Sequence, residues 1–226
     1  DFERARHDFS GKLFFSGKLY GRELELVLLA EAFDNVLGGA REFVCVSGDP
    51  GSGKSVLVDE MYRPMTSHRA LFAHAKCDHF HKNVPYYVFS RAFNQLCDSL
   101  LVGEDLSLKK YREKLTKCLG KNAGVLTSLI PSLEKIIGPQ TAVSDLPVIE
   151  SKNRLVMTFC KFVKTLASAD SPLVIFLDDI DRADTASIDL LKKLLGDVEL
   201  NHTLIVISRR DKDLDEVPAL KKLLQK

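Results

Sequence analysis

Four short stretches of the chain are largely apolar: Phe43 to Val46, Ala70 to Ala75, Leu173 to Leu177 and Thr203 to Ser208. Runs this short and this continuous read as strands covered on both faces, as in a parallel sheet with helices on each side. Between them apolar residues recur at helical spacing. Leu24, Val27, Leu28 and Phe33 fall on one stripe that Gly38-Gly39 ends. A helix from Lys54 to about Arg63 is expected to stop before Pro64. Pro85 opens a helix carrying Phe89, Phe93, Leu96, Cys97 and Leu100, and residues 105–120 and 122–137 give two more, with Gly120 and Gly138 at their ends. After a polar loop from Gly138 to Pro147, a long helix begins near Ile149 with Leu155, Phe159, Phe162, Val163 and Leu166 on one face. These aromatic stripes read as core rather than as a cofactor box. A last helix runs from Thr185 to Leu195 with Ile188, Leu191 and Leu195 inward. The order is β-α-β, a long helical insert, then β-α-β. Right-handed crossovers make this a three-layer α/β/α sandwich with a parallel sheet and a helical insert between the second and third strands.

The ends differ from the middle. Residues 1–18 carry Phe2, Phe9, Phe14 and Phe15 among charges and glycines and read as an irregular arm, leaving 19–226 as the domain. Asp211 to Lys226 reads as a polar loop and a short helix begun near Pro218. The chain begins at Asp1 rather than Met, so it is expected to be a piece excised from a longer protein.

Charge narrows the partners. Lys plus Arg number 32 and Asp plus Glu 31, so no net field draws the chain to nucleic acid or to an anionic membrane. No apolar run approaches the roughly 20 residues of a membrane span. Five scattered cysteines, Cys45, Cys77, Cys97, Cys118 and Cys160, mostly within apolar periods, suggest reduced core thiols in an intracellular, cytoplasmic compartment.

The chemistry centres on Gly48-Asp49-Pro50-Gly51-Ser52-Gly53-Lys54-Ser55, which directly follows the first strand and opens a helix. This is G-x-x-x-x-G-K-[ST] in the strand–loop–helix setting that gives the pattern its meaning. Glycines let the backbone wrap a phosphate with successive N–H groups, and the helix N-terminus favours an anion. Residues Gly48 to Val56 are therefore candidate nucleotide-binding positions. Lys54 suits the β- and γ-phosphates and Ser55 suits Mg²⁺. The third strand ends in Asp178-Asp179, at the edge of the sheet where such folds bind ligands. Asp178 is the candidate Mg²⁺ ligand and Asp179 the residue that orients or deprotonates the attacking water. The fourth strand delivers Arg209 and Arg210 to the same edge, where an arginine can read a γ-phosphate. His74, Cys77, Asp78, His79 and His81 crowd together after the second strand. One reading is a metal site, but the spacing fits no standard zinc motif. The plainer reading is a strand end with polar residues facing solvent. Lys109, Lys110 and Arg112 read as a solvated helix face.

These residues resemble the AAA-type ATPase domain of the STAND class, in the version found in large signalling proteins beside protein kinase, histidine kinase or cyclase domains. The resemblance spans about Leu19 to Asp211. Tyr20-Gly21-Arg22-Glu23 looks like the family's GRE entry, which implies that Tyr20, Gly21 and Arg22 lie near the adenine. Asp78 with Asn83 to Tyr86 is similar to its FDQ…PY stretch, Leu129 to Leu133 to its LLPEL helix, and Asn153-Arg154 to its NRF helix. Asp178-Asp179-Ile180 with Ala183-Asp184 looks like DDLQWAD, although Asp181-Arg182 replaces QW, and Arg209 matches sensor 1. The family's fifth strand and C-terminal lid lie beyond the resemblance, which would leave the first strand near a sheet edge.

The resemblance implies the fold of the P-loop NTPases, ATP and Mg²⁺ as cofactors, and slow hydrolysis used as a regulatory signalling switch. Implied partners are the nucleotide, the other domains of a larger signalling protein and possible self-association. The long helical insert argues against a small G-protein. Two other readings are a non-hydrolysing nucleotide-dependent interaction module and a small-molecule phosphotransferase. The latter would need an acceptor pocket and a lid.

Overall fold

Parallel pairing builds a four-stranded sheet in the order β1-β4-β3-β2. The computed structural model describes residues 21–102, 105–141 and 147–210. The elements are α1 (Glu23–Leu37), β1 (Arg41–Ser47), α2 (Lys54–Ser67), β2 (Leu71–Lys76), α3 (Tyr87–Val102), α4 (Asp105–Leu119), α5 (Ala123–Leu129), α6 (Pro131–Ile137), α7 (Val148–Leu166), β3 (Leu173–Asp178), α8 (Thr185–Leu195) and β4 (Thr203–Arg209). Residues 1–20 and 211–226, with the arm, Tyr20 and the tail helix expected there, lie outside the described residues.

The period of two along each strand sorts the core into two layers. Val46, Val174, Phe176, Leu204 and Val206 face α1 and α2. Ala73, Ala75, Ile175, Leu177, Ile205 and Ile207 face the helical insert and α8. Phe89, Phe93, Phe159 and Phe162, from α3 and α7, form an aromatic cluster there with centroid spacings of 5.1 to 6.1 Å. This is the three-layer α/β/α architecture expected from the strand pattern, with the insert between β2 and β3.

Several local expectations are corrected. Leu24 and Leu28 are 79% and 63% exposed, and the buried stripe of α1 is Leu26, Leu29, Phe33 and Val36. Both stripes keep helical spacing in a helix apolar on nearly all sides, so periodicity alone could not choose between them. Helix α2 does not stop before Pro64 but continues to Ser67. Pro64 removes one ladder bond, and burial of Met61 and Met65 holds the last turn in place. The helix expected over 122–137 is broken at Ile130, and Pro131, which has no N–H to lose, starts α6. The first strand is an edge strand among the described residues, and most of its side chains are only half-buried.

Candidate nucleotide site

All four strands end at one level. Register pairs Ser47 with Arg209 and Lys76 with Asp178, and β4 lies between β1 and β3. Lys76, Asp178 and Ser208 occupy alternate positions that face the α1/α2 layer, as Val174, Phe176 and Val206 do. The loop between β1 and α2 sits over this end.

The loop is shaped by its glycines. Gly53 has φ 83°, which an L side chain resists. A Cβ on Gly48 would come within 2.9 Å of Ser52 Oγ. Lys54 is buried, and its ammonium donates to the carbonyls of Gly48 at 2.9 Å and Asp49 at 3.0 Å, so it lies inside the loop. Ser52 N–H donates to Asp49 O at 3.2 Å, while Ser52 Oγ is buried without a hydrogen-bond partner among the described residues. Val56, in the first turn of α2, is half exposed. Arg22, just before α1, donates from Nη2 to Ser52 O at 2.6 Å and so braces the loop from outside. Gly21 precedes it with φ 81°.

The acids meet the loop. Ser55 Oγ donates to Asp178 Oδ2 at 2.9 Å. Ser208 Oγ donates a short hydrogen bond to Asp178 Oδ1 and accepts from Asp179 N–H at 2.8 Å. Lys76 Nζ bridges both acids, 3.1 Å from Asp178 Oδ2 and 3.0 Å from Asp179 Oδ2. Consecutive strand residues point to opposite faces. Asp179 escapes this by taking the left-handed conformation, φ 54° and ψ 48°, which swings its carboxylate back to the side of Asp178. Arg182 Nη1 lies 3.8 Å from the same Asp179 oxygen. Burial alone would raise the Asp178 carboxyl, but hydrogen bonds from Ser208, Lys76 and Ser55 outweigh it and hold the group below the ordinary carboxylate range. Burial likewise opposes charge on Lys76, and its bonds to Asp179 and Asp178 overcome this and raise its pKa.

Sequence reasoning thus reaches Gly48 through Val56, Gly21, Arg22, Asp178 and Asp179 as one cluster. Arg209 reaches the same edge, but its guanidinium donates from Nη1 to Arg210 O at 3.1 Å, and no bond to either acid is present. Three contributors were missed: Lys76, Ser208 and Arg182. Lys76 ends an apolar strand just as Asp178 does, and that shared position was the available signal. Ser208 carried none, because a strand-end serine meets Asp178 only through register. The last acid of the resembling motif, Asp184, is structural. It caps α8 by accepting from Ser187 N–H at 2.8 Å and from Ser187 Oγ at 2.5 Å, and it also accepts from Tyr86 N–H at 3.0 Å, where Tyr86 has φ 61°.

The histidine-rich stretch holds no metal cluster among the described residues. His74 stacks on Phe176 at 4.8 Å, Cys77 is buried, and His81 Nδ1 lies 2.7 Å from Asp78 Oδ1. Only part of the stretch faces solvent as expected. No disulfide joins the five cysteines, three of which are buried, and burial pushes Cys97 up to about 12. No helix among the described residues is long and apolar enough to cross a membrane.

A family profile described as an AAA ATPase domain matches residues 18–207. The chain is 35% identical over 195 residues to hybrid signal transduction histidine kinase G of Dictyostelium discoideum. The match takes in 86% of this chain and spans 6% of that protein's length. Among solved structures, the ORC2 protein of Aeropyrum pernix, in ADPNP–ADP complexes, matches 94% of this chain and 46% of its own at 17% identity, with a TM-score of 0.45.

Proposed function

The chain belongs to the AAA ATPase domain family, and we propose that it binds ATP with Mg²⁺, hydrolyses it slowly and serves as a regulatory switch within a larger signalling protein. The observation that carries this is the meeting of Ser55 Oγ and Asp178 Oδ2, 2.9 Å apart at the foot of a glycine loop. Hydroxyl and carboxylate oxygens are the donors a hard cation prefers. The buried, unpartnered Ser52 Oγ and the close fit at Gly48 suit a phosphate in the loop. In this reading Lys54 and the backbone N–H groups from Gly48 to Val56, Pro50 having none, hold the phosphates, and Tyr20, Gly21 and Arg22 flank the base. Ser55 and Asp178 hold Mg²⁺, whose charge would offset that of the β- and γ-phosphates. Asp179 orients water and Arg209 senses the γ-phosphate. Loops ordered by that phosphate would change domain packing or self-association. The likeness to a hybrid histidine kinase supports a place beside other signalling domains.

One observation favours a second reading, a nucleotide-held interaction module without turnover. The Asp179 carboxylate is engaged by Lys76 at 3.0 Å and faced by Arg182 at 3.8 Å. One measurement tests the site and a second separates the readings. Calorimetry should show Lys54→Ala weakening ATP binding at least about tenfold, and unchanged affinity overturns the site. Phosphate release should vanish in Asp179→Asn. A wild-type rate no higher than that of the variant leaves the non-hydrolysing module.

A further inference from the structure

Strand β2 is the second open edge of the sheet, pairing only with β3 among the described residues. Its hydrogen-bonding parity is set by two contacts. Leu71 N–H donates to Pro172 O, and Cys77 N–H donates to Asp178 O, both at 2.8 Å. Odd-numbered residues therefore bond to β3, and Phe72, His74 and Lys76 turn N–H and C=O outward. Natural edges are commonly blunted by a proline, a bulge or exposed lysines. The register of β2 runs unbroken from Leu71 to Lys76, and its one lysine is held by Asp178 and Asp179.

Beside this edge lies a groove of about 440 Å³, walled by Asp59 and Tyr62 of α2 and by Gln95, Leu96 and Ser99 of α3. Its floor is aromatic. Tyr62 meets Phe72 edge-on at 4.8 Å, and His74 lies flat on Phe176 with Nε2 buried and unpartnered among the described residues. Asp59 supplies the acidic charge of the lining.

We propose that the β2 edge receives an extended peptide of a partner protein as a fifth strand, with an apolar side chain against Tyr62 and Phe72 and a basic one against Asp59. Main-chain bonds to Phe72, His74 and Lys76 give the affinity, and the groove selects alternate side chains. A second copy would bring the same groove with its own Asp59, rather than the basic side chain that this lining calls for. The assignment is independent of nucleotide chemistry.

The test selects binders to the full chain from a displayed library of random peptides of roughly a dozen residues. Amide exchange is then followed by NMR. The bound peptide should slow exchange at Phe72, His74 and Lys76 by at least about tenfold, and leave Leu71, Ala73 and Ala75, already bonded to β3, unchanged. N-methylation at alternate peptide nitrogens should weaken binding about tenfold. Ser99→Trp, which fills the groove from an exposed position, should abolish binding with an unchanged melting temperature. Absence of any binder at roughly 100 µM, or protection without the alternation, overturns the proposal. So does protection of the even amides on raising protein concentration alone, which would make the occupant a second copy.

Discussion

Ser55 Oγ donates to Asp178 Oδ2 at 2.9 Å although 123 positions separate the two residues. The contact ties the first turn of α2 to the end of β3 and leaves Asp178 Oδ1 to Ser208. Replacing Ser55 with alanine removes one bond to a charged group in a half-buried place, so stability falls by only about 1 kcal/mol. The gain in ATP affinity on adding Mg²⁺, measured by calorimetry, should fall about tenfold. A full Mg²⁺ gain in the variant would remove Ser55 from the metal site.

Lys76 neutralises two acids at once, and its side chain is 56% exposed. Solvent screening limits the stability lost in Lys76→Met to about 1 kcal/mol. The variant should gain more thermal stability from added Mg²⁺ than the wild type does, because no ammonium competes for Asp178 Oδ2. Equal gains would show that lysine and metal do not share that oxygen.

Two groups contribute to the acid response. Burial depresses the pKa of His74, so its contribution is complete above the unfolded value of about 6.5 and is lost as pH falls through the folded one. The depressed pKa of Asp178 acts in the same sense lower down, with stability lost as pH falls below the unfolded value of about 4. Urea denaturation from about pH 8 to about pH 3 should show both declines. His74→Gln should flatten the upper one, and Asp178→Asn should shrink the lower one. A lower decline unchanged in Asp178→Asn would assign it to other carboxylates.

Asp184 holds three donors from two elements while itself buried. Alanine there loses a helix cap and strands the Tyr86 N–H, for a loss of about 2 to 4 kcal/mol in urea unfolding. Asparagine keeps an acceptor and should recover part of that loss. Equal losses in both variants would mean that charge, not capping, is what the site requires.

The strands and the glycine loop were legible because their signals are local. Val174 to Leu177 is apolar at each position because both faces are covered, and Gly53 answers a backbone angle within its own turn. What escaped reading depends on register or on a choice between equal patterns. Lys76 and Ser208 acquire meaning only when β2 and β4 flank Asp178. The faces of α1 carry competing stripes, and only the packed sheet selects Leu26 and Leu29 over Leu24 and Leu28. Pro64 gave a correct local rule that burial of Met65 overrode.

The two margins of the sheet each bring something to its carboxyl end: β1 leads into the glycine loop, and β2 ends in Lys76. Margins loosen before the middle does. A triphosphate seated there would act as a tie drawn across the whole width, steadying both outermost strands at once. Its release would let them slacken together while the aromatic centre stayed intact.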